Sequence, residues 1–201
     1  MNQTHSYKGG LTAEQFLFYE IRIVAKFYLD GKTIENAIEI ITKDNLFQYP
    51  TEREVSRLVR ACYKRLDALA NEQLVQEIAT APNEIAKQIN LYAMMRYNRL
   101  VWEFMIQVIG EKYCNQDLSF SRKDLNGFFT RLQAQDDAVA SWSENTINKI
   151  KSVLVRVLVE TEYLDSIKDT TLNPVFLCEE LEQGIKANGD YVALPAFNYL
   201  R

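Results

Sequence analysis

Residues 51–69 read TEREVSRLVRACYKRLDAL. Pro50 disfavours helical backbone at the residue before it, and Thr51 can cap a helix with Glu54 as its capping-box partner. Val55, Leu58, Val59, Cys62, Leu66 and Leu69 then recur at helical spacing. This pattern predicts an amphipathic helix that needs other helices against its apolar face.

Neighbouring stretches repeat the grammar. Thr12 with Gln15 predicts a first helix that carries Phe16, Tyr19, Ile23 and Phe27 and stops at Gly31. Ile34, Ala37, Ile38 and Ile41 mark a second helix over about 33–42, and residues 43–50, KDNLFQYP, a loop. A short helix is expected over about 71–79. Helical pattern then runs from 83 to about 113, too long for one helix, so a break is expected near Met95–Asn98. Ser121 with Asp124 opens a helix lined by Leu125, Phe128, Phe129 and Leu132. Ser143 opens another over about 144–162, lined by Ile147, Ile150, Leu154, Val157 and Leu158. Residues 172–177 (LNPVFL) are expected as a short strand, 179–187 as a helix, and Tyr191–Leu194 as extended chain. The expected fold class is therefore all-α, a compact multi-helix bundle with at most a short β-hairpin. It reads as one domain over 1–201, with residues 1–11 a flexible tail and room for subdomains at 12–114 and 119–201.

Composition narrows the function. The 201 residues hold 7 Gly and 4 Pro, too few for a turn-dense β sandwich. Cys62, Cys114 and Cys178 are widely spaced and include no CxxC, so buried free thiols are expected rather than disulfides or a zinc site. The one histidine, His5, lies in the polar tail, and no GxxxxGK[ST], GxGxxG or HExxH occurs. No enzyme chemistry and no cofactor are expected. Leu91–Ile109 is broken by Arg96, Asn98, Arg99 and Glu103, so no membrane span and a cytoplasmic location are expected.

The net charge of −4 means that any polyanion must be met locally. Arg53, Arg57, Arg60 and Lys64 stand at 0, +4, +7 and +11, a narrow stripe that avoids the apolar face. Like charges in line repel, and a row of phosphates would relieve them. A solvated face paired with Glu52, Glu54 or another helix accounts for the same spacing. Asn145, Lys149, Ser152 and Arg156 repeat those offsets on the helix after Ser143, flanked by Asn148 and Lys151. The order capped helix, turn, capped helix, extended segment over 121–177 is that of a winged helix-turn-helix, although two ordinary amphipathic helices also match. Tyr92, Arg96, Arg99, Trp102 and Phe104 form a third set. There the aromatics are read as core, with the arginines paired to acids on neighbouring helices.

Residues 45–53 (NLFQYPTER), 86–105 (AKQINLYAMMRYNRLVWEFM), 109–113 (IGEKY), 120–132 (FSRKDLNGFFTRL) and 172–175 (LNPV) resemble the BrxA family of BREX bacteriophage-resistance systems, over about Leu11 to Phe197. The resemblance implies a small helical protein, similar in fold to NusB, that binds double-stranded DNA beside a methyltransferase and an ATPase. It assigns no contact to a position; those residues come from spacing. The expected function is a non-enzymatic, double-stranded-DNA-binding accessory protein of the defence system. The alternative is an adaptor that docks to the methyltransferase or ATPase, anchored by Leu46, Phe47 and Tyr49.

Overall fold

The Thr51 backbone is extended, and its hydroxyl accepts from the Glu54 N–H at 3.2 Å, so helix α3 (Glu52–Leu69) starts where the capping pair places it. Its apolar stripe is buried, from Val55 through Leu69. The computed structural model describes Tyr7 and residues 9–199. These residues form an all-α protein. They divide into two compact units, residues 16–97 with 178–184, and residues up to 15 with 98–177 and 185 onward.

The unit around α3 holds α1 (Phe18–Leu29), α2 (Ile34–Lys43), α4 (Glu72–Thr80), α5 (Asn83–Tyr97) and the beginning of a helix, Glu179–Ala187, numbered α11 in chain order. Thr33 and Asn71 cap α2 and α4 through their side-chain oxygens, each satisfying an N–H that the first turn leaves without a partner. α3 packs against α1, α2 and α5, and α4 against α1 and α5. Gly184 shows how closely the returning segment fits: a Cβ there would stand 2.6 Å from the Leu74 side chain. The Cys178 N–H also donates to Gln88 at 3.1 Å.

The first helix departs from expectation. A 3₁₀ turn (Gly9–Thr12) ends at Thr12, and α1 begins only at Phe18. Its inner face is Phe18, Ile21, Val24 and Ala25, whereas Tyr19 is 77% exposed. The cause lies in the interior. Arg65, 1% exposed, donates from Nη1 to the Phe16 carbonyl at 2.9 Å, and buried Asn90 donates to the same oxygen at 2.8 Å. That carbonyl is thereby drawn away from helix, and Leu17 turns through left-handed backbone at φ 53°. Such backbone costs a leucine about 1 kcal/mol or more, which two buried hydrogen bonds of similar worth offset.

The second unit holds α6 (Arg99–Phe104), a π-helical turn (Met105–Gly110), α7 (Glu111–Cys114), α8 (Arg122–Gln135), α9 (Asp137–Ala140), α10 (Glu144–Glu160) and a 3₁₀ segment (Tyr191–Phe197). The expected break after Met95 is the step from Tyr97 to Asn98, whose side chain accepts from the N–H groups of Leu100 and Val101. Ser121 and Asp124 complete the capping box of α8. Asp136 caps α9 through the N–H groups of Ala138 and Val139. Ser143 caps α10 through the Thr146 N–H.

Three further expectations need correction. Residues 172–177 form no strand; among the described residues the β pairing is a single antiparallel bridge, Ser119 with Thr171. Pro174 removes a ladder donor there, and Tyr113 donates its hydroxyl to the Asn173 carbonyl instead. Tyr191–Phe197 coils into a 3₁₀ segment rather than extending, because this turns Ala193, Leu194, Ala196 and Phe197 inward against the π turn. Nor are the described tail residues loose. Tyr7 is 7% exposed and Leu11 2%, and the Tyr7 hydroxyl donates to Glu103 at 2.6 Å. No helix among the described residues is long and apolar enough to cross a membrane.

Candidate nucleic-acid interface

Arg53, Arg57, Arg60 and Lys64 are all exposed on the face of α3 opposite its buried stripe. At about 1.5 Å of rise per residue the row is about 16 Å long. Two of its members have carboxylate company. Arg57 lies 3.7 Å from Glu54 one turn away, and Arg60 lies 3.3 Å from Glu35 on α2. Both guanidiniums remain about half exposed, at 49% and 48%. Ion pairs that wet are each worth less than about 1 kcal/mol, so they leave the cations available to a competing anion. Among the described residues no carboxylate pairs with Arg53 or Lys64.

The loop before α3 is half covered. Leu46 is 40% exposed, while Phe47 and Tyr49 lie partly buried with their rings in edge contact. The Tyr49 hydroxyl donates to Glu20 at 2.9 Å. Burial, reinforced by Glu20, pushes that phenol up to about 12. Of the three expected anchors only Leu46 is freely presented.

Asn145, Lys149, Ser152 and Arg156 are exposed in line on α10, with Asn148 beside them. Ser152 spends its hydroxyl proton on the Asn148 carbonyl at 2.9 Å. Lys151 leaves the face, since it bonds Asn126 on α8 at 2.8 Å and sits 5.4 Å from the Phe129 ring centroid. It ties α10 to α8. The α3 row belongs to one unit and the α10 row to the other.

The third set divides as its chemistry suggests. Trp102, Phe104 and Tyr92 are core. Arg96 donates to the Ala68 carbonyl and to the Tyr92 hydroxyl. Arg99 pairs at 2.7 Å with Glu103, on its own helix rather than a neighbouring one, and stacks 4.3 Å over the Tyr7 ring. Of the cysteines only Cys62 is buried; Cys114 is exposed, and Cys178 is intermediate, where burial pushes its thiol up to about 11. His5 lies outside the described residues.

Arg122 and Lys123 are exposed in the first turn of α8, beside Asp124.

The BrxA family model matches residues 5–189. The chain belongs to the BrxA family. Among relatives, the BREX protein BrxA of Bacillus cereus (strain H3081.97) is 31% identical over 92% of either chain. The BREX protein BrxA of Paramagnetospirillum magneticum (strain ATCC 700264 / AMB-1) is 22% identical, again over 92% of both. That of Escherichia coli O9:H4 (strain HS) is 22% identical over 90% of this chain and 84% of its own. The same helical fold occurs in the crystal structure of an uncharacterized protein from Magnetospirillum magneticum, with a TM-score of 0.82 at 20% identity, covering 96% of this chain and 99% of that one.

Proposed function

We propose that this BrxA family member is a non-enzymatic accessory protein of a BREX phage-defence system that binds double-stranded DNA in the cytoplasm. It contacts phosphates through Arg53, Arg57, Arg60 and Lys64, with Lys149 and Arg156 as a second set and Asn145 beside them on the same nucleic-acid-binding face. The observation that carries the reading is the exposed α3 row, in which Arg53 and Lys64 have no carboxylate partner among the described residues. With a net charge of −4 the average field repels DNA, so affinity must come from such a local array and from the counterions it displaces. Engaging four phosphates gives a log–log salt slope of about −3 to −4. The relatives' names point to other BREX proteins as partners, and the sequence resemblance adds a methyltransferase and an ATPase to that reading.

A gel shift tests this. Arg57→Glu with Arg60→Glu abolishes retardation of a duplex at low salt while the helical circular-dichroism spectrum stays intact. Unchanged retardation rejects the row. A second reading, an adaptor without DNA contact, rests on exposed Leu46. It is favoured if a complex with the methyltransferase or ATPase survives nuclease and no duplex is retarded.

A further inference from the structure

α10 differs from a simple phosphate comb in its side chains. Its outward face carries Asn145, Asn148, Lys149, Ser152 and Arg156, all exposed, within an arc of about 100°. Between Glu144 and Glu160, at its two ends, the helix has no acidic residue. The terminal amides of Asn145 and Asn148 and the cations of Lys149 and Arg156 have no partner among the described residues. Asparagine is a poor helix former because its side chain competes for backbone groups. Two of them in the first two turns weaken the helix and add no charge for a phosphate to meet. What they do add is a donor and an acceptor on one planar group, the complement of the adenine N7/N6 edge in the major groove.

The helix is also held rigidly enough to present them. Ile147, Ile150, Val153, Leu154, Val157 and Leu158 bury its other side. Lys151 fastens it to α8 through Asn126 and the Phe129 ring. Asn145 to Arg156 spans about 16 Å along the axis, and the major groove of B-form DNA, about 12 Å wide, admits an α-helix.

We infer that α10 enters the major groove and reads adenine with Asn145 and Asn148, while Lys149 and Arg156 hold the flanking phosphates. This rests on the DNA-binding reading and adds base preference to it.

The test uses the full chain and fluorescence anisotropy with three 24-base-pair duplexes: alternating A·T, the same with every adenine replaced by 7-deazaadenine, and alternating G·C. Loss of N7 leaves base pairing and the minor groove intact. The unaltered chain binds the A·T duplex about tenfold more tightly than the other two. Asn145→Ala with Asn148→Ala binds all three alike, at the weaker level, and keeps its helical spectrum, since alanine favours helix. Equal binding of the A·T and 7-deazaadenine duplexes by the unaltered chain overturns the inference and leaves DNA binding standing. Discrimination that persists in the double variant also overturns it. If no duplex is bound, both readings fall.

Discussion

α3 and α10 place polar side chains at the same offsets, yet in different company. On α3 the row is three arginines and a lysine, with Glu54 and Glu35 beside two of them. On α10 it mixes amides, a hydroxyl and two cations, and the acids are confined to the helix ends. The anchoring differs as well. α3 is fixed from inside by Arg65 on the Phe16 carbonyl, α10 from its surface by Lys151. Spacing alone therefore does not define a binding face. One row is charge, loosely paired at two of its four positions; the other adds hydrogen-bonding capacity left open.

The anchors give the largest expected contrast. Arg65→Leu removes a buried donor and leaves a cavity, costing about 2–4 kcal/mol in denaturant unfolding while the exposed row is untouched. A loss below about 1 kcal/mol would erase the distinction between the two anchors.

Next comes the capping box at α8, in the α10 unit. Lys112 lies 2.9 Å from Asp117 and 3.1 Å from Asp124. The Ser119 hydroxyl, then Lys112 and the Ser119 N–H, hold Asp117 down at about 2, against an ordinary 3.8. Burial pushes Asp124 upward, but Lys112 and the Ser121 N–H and hydroxyl outweigh it and keep that carboxyl below its ordinary value. Both groups are depressed in the fold, so their stabilisation is full above about pH 4 and drains away as pH falls toward about 2. Asp124→Ala costs about 1 kcal/mol at neutral pH and reduces that acid dependence to the share held by Asp117 in a thermal melt series. An unchanged acid limb would contradict the assignment.

The rows themselves should part by a smaller amount. Glu35→Gln with Glu54→Gln frees Arg60 and Arg57 and tightens duplex binding about two- to fivefold, since each surface pair is worth less than about 1 kcal/mol. Glu144→Gln, at the start of α10, does much less. Equal effects would mean that only net charge matters. Smallest of all, Lys151→Ala loses a surface cation–π contact and one hydrogen bond, under about 1 kcal/mol in the same unfolding measurement.

Much of this was legible in the sequence, and the reasons are local. Thr51, Ser121 and Ser143 announce helix starts because their side-chain oxygens answer N–H groups within three residues. The exposure of both rows follows from the apolar stripes opposite them. The start of α1 was not legible, because Arg65 and Asn90, distant in the chain, decide it. Part of that signal was present all the same. Arg65 falls about 120° around the helix from Arg53, on the shoulder of the apolar stripe, where a cation must find an interior acceptor. The coiling of residues 191–197 was hidden for the same reason, since its partner is the π turn at Met105–Gly110. Base preference on α10 depends on which amides stay without partners, and that only coordinates reveal.

The return of residues 178–184 to the unit built from 16–97 has a consequence for synthesis. A nascent chain that has left the ribosome as far as Tyr97 carries every helix of that unit but one, with Leu74 still bare where Gly184 will lie. The piece that covers it is translated only after the whole of 98–177. That unit is thus sealed only near the end of synthesis, and a stop codon anywhere before residue 178 leaves an opening in helices that had already been made.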